Sequence, residues 1–295
     1  MFRNVIVGVN GHQGGQDALA LAKQLMDIDG SLTAARVLIR DGLTGRGPSA
    51  EVEAAERART HALQDAARDE PRSDSELRTV FAPSVGRGLH ELADAERADL
   101  LVVGSCRRGL VGRVMIGDDT SDALNGAPCA LAIAPFGYAE RPATWGEIGV
   151  AYNGSTESQD ALAAARSLAA EHRAKLSAFD AVSVPAYLSI PGAGTAGEAL
   201  PGLVRQARER IEALGGVQPH AAYGVAAEEL AMYSASLDLL VVGSRAYGPV
   251  GRLMHGSTSR QLARTARCPL LVLTRGARVM LALDQNHAHA ASTVG

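Results

Sequence analysis

The chain has 295 residues, of which 46% are hydrophobic and 21% charged, and its formal net charge is -3. This length predicts about two globular domains, and the composition excludes a disordered chain. The small negative charge, without a basic stripe, argues against a nucleic-acid partner. Because no apolar run is long enough for a signal peptide or a membrane span, we expect a cytoplasmic protein with no membrane partner.

Short apolar runs alternate along the chain with longer helical patterns, as in the βαβ units that build a parallel sheet. Runs such as Leu100–Val103 are apolar at every position, which is typical of strands buried on both faces. We therefore predict an α/β fold with helices on both sides of parallel sheets. The predicted strands are residues 4–10, 32–39, 76–82, 99–104 and 129–135, followed by 147–152, 175–182, 217–223, 238–243 and 269–274.

The two sets of five strands belong to an internal repeat. The residues of Asp99–Ser105 recur without change as Asp238–Ser244, at an offset of 139 residues. Near the front of each half, Asn10-Gly11 matches Asn153-Gly154 at an offset of 143 residues. A repeat of this length predicts two copies of one domain.

Glu140–Pro142 has the composition of an exposed linker between the two copies. We therefore predict a first domain over residues 1–138, a second domain over residues 146–275, and a C-terminal tail over residues 276–295.

A glycine-rich segment follows the fourth strand of the second copy. Gly243 ends that strand without a side chain, which would let a ligand approach the backbone. After Gly256, the residues Ser257, Thr258 and Ser259 open a predicted helix, whose free N–H groups and positive dipole end favour an anion. These features predict a phosphate site. The alternative is a tight loop in which Ser257 or Thr258 only caps the helix.

The spacing in this segment is that of a known motif. Gly243, two residues, position 246, nine residues and Gly256-Ser257 resemble the nucleotide-binding motif of the universal stress protein family. The resemblance covers both copies, over about residues 3–136 and 147–275. It implies two tandem five-stranded sheets of the Rossmann-like, adenine nucleotide-binding type, in which the copies mimic a dimer and further homo-oligomers form.

The resemblance implies a non-catalytic stress-response protein that binds ATP, with or without magnesium, mainly in the second domain. The implied nucleotide contacts are Ala151, Tyr152, Asn153, Ala181, Val242, Gly243, Ala246, Gly256, Ser257, Thr258 and Ser259. No phosphate-loop or dinucleotide motif is present, so we assign no catalytic and no metal-binding residue. The alternative function is a structural dimerisation or interaction module that binds no nucleotide.

Two residues of the second copy depart from the family pattern. Ala246 stands where the motif has its second glycine, and Asn153 stands where the family has an acidic residue at the end of the first strand. An amide can donate to and accept from an adenine or ribose edge. An Asx-turn built on Asn-Gly explains Asn153 equally well.

The first copy departs further from the motif. Arg107 replaces the second glycine and Asp118 replaces the serine, so we expect a degenerate nucleotide site in which the carboxylate caps a helix but repels phosphate. Binding could still occur if Arg107 and Arg108 neutralise the acids, or if a divalent cation bridges Asp118 to a phosphate.

Two expectations concern the fifth strands. An apolar edge strand left bare invites association, so residues 130–135 and 270–274 should pair or pack across a pseudo-two-fold axis. Cys129 and Cys268 lie at equivalent positions just before these strands, where core packing explains them. The chain has three cysteines without metal-ligand spacing, and reduced thiols are expected.

Overall fold

The computed structural model describes residues 2–39, 76–105, 126–142, 144–183, 196–244 and 257–274. Several sequence predictions concern residues outside these ranges. They are the C-terminal tail 276–295, the substituted positions Arg107, Arg108 and Asp118, and the predicted contacts Ala246 and Gly256.

The described residues form strands and helices in the predicted alternation. The strands are β1 (Phe2–Gly8), β2 (Met26–Ile39), β3 (Glu76–Ala82), β4 (Leu100–Gly104), β5 (Ala130–Ala134), β6 (Glu147–Ala151), β7 (Lys175–Val182), β8 (Gln218–Tyr223), β9 (Leu239–Ser244) and β10 (Leu270–Thr274). The helices are α1 (Gln13–Leu25), α2 (Val85–Glu96), α3 (Thr156–His172), α4 (Ala196–Glu212), α5 (Ala226–Tyr233) and α6 (Ser257–Thr265). Within these ranges, no helix is long and apolar enough to span a membrane.

The strands form one ten-stranded sheet in the order β3-β2-β1-β4-β5-β10-β9-β6-β7-β8. Neighbouring strands within each half run parallel, which confirms the predicted α/β architecture. At the centre, β5 and β10 pair antiparallel, with Leu271 opposite Ala132. The predicted pairing of the fifth strands is therefore confirmed, and it joins the two expected five-stranded sheets into a single sheet.

The bounds of β1 and β2 differ from the sequence prediction by two residues or more, and those of the other strands by at most one. β1 ends at Gly8 rather than at residue 10, because the side chain of Asn10 accepts a hydrogen bond from the backbone N–H of His12 (3.2 Å) and turns the chain. β2 begins at Met26 rather than at residue 32, because α1 ends at Leu25 and the next residue already pairs with β1.

Helices cover both faces of the sheet. Buried residues of α1 and α3, such as Leu21 and Leu168, pack on one face. Buried residues of α2, α5 and α6, such as Leu89, Leu230 and Leu262, pack on the other face. Each fully buried leucine stabilises the fold by roughly 1.5–3 kcal/mol. Because helices cover both faces of the sheet, the strands between them are apolar at every position.

The two cysteines before the fifth strands are core residues, as predicted. Cys129 is 4% exposed and Cys268 is 3% exposed. Burial raises the pKa of the Cys129 thiol to about 12, and burial also raises the pKa of Cys268. Both groups are neutral thiols in the folded protein near neutral pH.

The linker between the halves is exposed only in its middle. Glu140–Pro142 is exposed, whereas Tyr138 and Trp145 on either side are buried. The Trp145 Nε1–H donates to the Tyr138 hydroxyl (3.1 Å), which in turn donates to the side-chain oxygen of Gln24 in α1 (2.6 Å). These contacts fix the linker against the first half.

Candidate functional site

A cavity of about 390 Å³ opens at the carboxyl ends of β6, β7 and β9. In the second half the chain leaves β6 toward β7 on one side, while β9 lies on its other side. The strand order therefore reverses at β6, which is where open parallel sheets form their ligand crevices. The N-terminal ends of α3, α5 and α6 complete the walls of the cavity.

Most of the sequence-predicted contact residues meet at this cavity. Eight of them line it: Ala151, Tyr152, Asn153, Ala181, Val242, Gly243, Thr258 and Ser259. α6 is described from Ser257 onward, so the helix predicted after Gly256 is present. Ala246 and Gly256 lie outside the described residues.

Asn153 makes the Asx-turn that was one of its two interpretations. Its side-chain oxygen accepts a hydrogen bond from the Ser155 backbone N–H (3.1 Å), and Gly154 adopts a positive φ of 82°. The Ser155 hydroxyl then caps α3 by accepting from the Ser158 backbone N–H (3.3 Å). Asn10 makes the equivalent turn in the first half. The amide group of Asn153 lies at the cavity wall with its oxygen already used as an acceptor.

The structure shows a packing reason for a glycine at position 243. The strand continues to Ser244, and a Cβ on residue 243 would overlap the backbone carbonyl of Glu157 in the first turn of α3. Gly104 meets the carbonyl of Gly14 in the same way in the first half. Close packing of α3 on β9 therefore requires a glycine at position 243, and the same residue lines the cavity where ligand approach is predicted.

The start of α6 brings backbone N–H groups and hydroxyls to one side of the cavity. Ser259 is 5% exposed and Thr258 is partly buried, and both line the cavity. The first N–H groups of a helix have no partner within the helix, and the helix dipole places partial positive charge there. This end of the cavity can therefore accept an anion.

Other residues of the lining are apolar, and one is a buried carboxylate. Phe179 packs on Tyr233 with ring centroids 4.9 Å apart, and Leu230 lies beside them in the lining. Asp180 follows Phe179, is 4% exposed, and forms an ion pair with Arg210 of α4. This ion pair lets a charged group remain buried next to an apolar surface.

The charged residues of the described lining are acidic, and one of them, Asp180, is paired with Arg210 from outside the lining. Glu157 is 6% exposed and, with Asp180, gives the described lining two carboxylates, while none of its described residues is an arginine or lysine. An anionic ligand would therefore depend on the α6 N-terminus and on a counter-cation for compensation.

Several lining residues were not predicted from the sequence. They are Ser155, Glu157, Ser158, Phe179, Asp180, Ala226, Leu230 and Ser244. The first three follow directly from the position of Asn153, because any helix that begins after the first strand places its first turn at the same edge of the sheet. The α5 residues had no local signal, since their contact depends on how α5 packs across β7.

The first half differs at the position of Asp180. Gly8 and Ala151 are equivalent in the repeat, and they pair with Ala35 and Phe179 respectively. The residue that follows Ala35 is therefore the equivalent of Asp180. That residue is Arg36 in the first half, and it is 3% exposed. The two halves therefore place opposite charges at this point.

The strand order and the helices on both faces place each half among the Rossmann-like α/β domains, and the second half has the crevice beside its central strand. The model of the universal stress protein family matches residues 1–135 and 144–274, and the chain belongs to this family.

Individual relatives agree with this assignment. A universal stress protein of Mycobacterium tuberculosis is 26% identical over 207 residues, which cover 64% of this chain and 69% of that protein. The crystal structure of a universal stress protein from Archaeoglobus fulgidus superposes with a TM-score of 0.63 at 16% identity, over 92% of this chain and 98% of that chain. A universal stress protein structure from Pseudomonas aeruginosa gives a TM-score of 0.62 at 18% identity, over 97% and 98% of the two chains. The two structures share the fold along nearly the whole chain.

Proposed function

We propose that the second domain binds an adenine nucleotide, ATP, in the cavity at the carboxyl ends of β6, β7 and β9. The chain then acts without catalysis, and nucleotide occupancy is its signal in the stress response. The observation that carries this proposal is the convergence of eight motif-derived residues on one cavity.

The cavity has the size and polarity of a nucleotide site. Its volume of about 390 Å³ lies within the roughly 300–1,000 Å³ typical of small-molecule pockets. The start of α6 suits the phosphates, and the wall of Phe179 and Leu230 suits a purine ring. A nucleotide has this same polarity, with anionic phosphates at one end and a flat, largely apolar base at the other.

The Glu157 carboxylate in the lining supports magnesium as a companion of the nucleotide. A carboxylate repels the phosphates of free ATP, whereas Mg²⁺ binds phosphate oxygens, water and one or two carboxylates. We therefore expect ATP to bind more tightly with Mg²⁺ than with a chelator present.

Thermal unfolding in the presence of ATP and Mg²⁺ tests the proposal. A ligand that binds only the folded state stabilises it by RT ln(1 + [L]/Kd), about 2.7 kcal/mol at 100 times Kd. We expect Tm to rise by several degrees with millimolar ATP and to stay constant with millimolar inorganic phosphate. The phosphate released from ATP during the same incubation should not exceed that in protein-free buffer.

One observation favours the alternative function, a structural interaction module that binds no nucleotide. The Asx-turn uses the side-chain oxygen of Asn153 and so explains this residue without a ligand. An unchanged Tm at millimolar ATP with Mg²⁺ would support this alternative against nucleotide binding.

A further inference from the structure

The hydroxyl group of Ser244 lies buried without a hydrogen-bond partner. Ser244 is the last residue of β9, is 3% exposed and lines the cavity. Its Oγ atom is one of the few buried side-chain nitrogen or oxygen atoms in the described part of the chain that make no hydrogen bond. A buried polar group without a partner destabilises a protein, so such a group indicates either strain or a missing ligand.

The equivalent serine of the first half has a partner. Ser105 Oγ donates to the backbone carbonyl of Ala134 at 2.8 Å, and Ser105 is as deeply buried as Ser244. In the second half the parallel ladder continues one residue further, to the pair Ser244–Thr274, and the Ser244 hydroxyl makes no such bond. The serine hydroxyl at this position of the repeat therefore has a hydrogen-bond partner within the protein in the first half only.

The position of Ser244 on the sheet indicates what its partner would be. Alternate residues of a strand share a face, and Leu240 and Val242 pack in the cluster that contains Leu262 of α6. Ser244 therefore lies on the face that carries α6, whose first turn places Thr258 and Ser259 at the cavity.

We infer that the Ser244 hydroxyl donates a hydrogen bond to a phosphate oxygen of the bound nucleotide, which makes it a binding residue of the second domain. This inference rests on the proposed function. Hydroxyl donors to a phosphate form charge-assisted hydrogen bonds, which are stronger than neutral ones. Ser105 has no such role, because its hydroxyl already donates to Ala134.

The test compares Ser244→Ala with the matched variant Ser105→Ala in the full chain. Calorimetric titration gives the Kd for ATP with Mg²⁺ and for adenosine, and thermal unfolding without nucleotide gives Tm. We expect Ser244→Ala to weaken ATP binding about tenfold or more, the loss typical of one hydrogen bond to a charged group, with adenosine affinity unchanged and Tm equal to or higher than that of the parent. Ser105→Ala should lower Tm and leave both affinities as in the parent.

The outcomes separate the inference from the proposed function. If the parent binds ATP and Ser244→Ala binds it with the same Kd, the inference is wrong and the proposed function stands. A drop in Tm for Ser244→Ala as large as that for Ser105→Ala would give the hydroxyl a structural role and also overturn the inference. A parent chain that binds no ATP overturns both.

Discussion

The backbone of Gly243 in β9 packs directly on the carbonyl of Glu157 in the first turn of α3, with no room for a Cβ between them. This contact sets how closely the helix start approaches the strand end, and both residues line the cavity. The fourth-strand glycine of the nucleotide motif therefore also has a packing role.

The Gly243→Ala variant should be strongly destabilised. The added methyl meets backbone, which cannot move as a flexible side chain can, and overpacking of this kind costs about 1–3 kcal/mol or more. Gly202→Ala is the matched control, because Gly202 lies in α4 and nothing within 4 Å would meet its Cβ. That control should gain about 0.5–1 kcal/mol from helix propensity. Urea unfolding measures both changes, and equal stabilities would contradict the packing role.

The buried carboxylate of Asp17 should stabilise the linker between the halves. It accepts hydrogen bonds from the backbone N–H groups of Gly137 (2.9 Å) and Ala139 (2.8 Å) and is fully buried. Asp17→Asn replaces one acceptor oxygen by an NH₂ group and should cost about 1.5–3 kcal/mol of unfolding free energy.

Asp160→Asn provides the control for Asp17→Asn. Asp160 is the equivalent residue of the second half and is exposed, so its amide variant should change stability by less than about 0.5 kcal/mol. A loss that is the same in both variants would mean that the carboxylate at position 17 does not hold the linker.

These examples show what the sequence could predict and why the rest needed the structure. The run Leu100–Val103 predicted a buried strand because apolar periodicity is a local property of the chain. Asp17 and Asp160 occupy the same place in the repeat, yet only Asp17 is buried, because the backbone of Gly137 and Ala139 folds back onto it. No local pattern contains that information.

The candidate site follows the same division. The residues at strand ends were predictable, since parallel strands bring their carboxyl ends to one edge. Asp180 was not, although Ala181 was, because its burial depends on an ion pair with Arg210 from a helix 30 residues further along. An Asx-turn and a role in nucleotide recognition both explain an asparagine at position 153. The sequence could not show that the turn is formed, whereas the hydrogen bond from the Ser155 N–H does.

Stability should fall at alkaline pH. Burial raises the pKa of Cys129 from 9.0 to about 12 and that of Tyr138 from 10.0 to about 12. The unfolded chain therefore releases protons that the folded chain retains, above about pH 9 for Cys129 and above about pH 10 for Tyr138. In these ranges each group lowers the unfolding free energy by about 1.4 kcal/mol per pH unit.

Urea unfolding between pH 8 and pH 11 measures this loss, and Cys129→Ala removes one contributing group. The variant should lose stability less steeply with pH than the parent above about pH 9. Parallel curves for the two proteins would show that the Cys129 thiol ionises equally in both states.

The most direct test of the nucleotide site is calorimetric titration of ATP with Mg²⁺ into the parent chain and into Ser257→Asp. The change places the carboxylate of the first copy's Asp118 at the start of α6, where a negative charge suits the helix dipole and folding should be nearly unchanged. We expect the parent to bind ATP and the variant to bind at least tenfold more weakly, since about 1.4 kcal/mol of repulsion is a factor of ten. Equal affinity in the two proteins would show that the phosphates do not lie at the start of α6, and would contradict the proposed site.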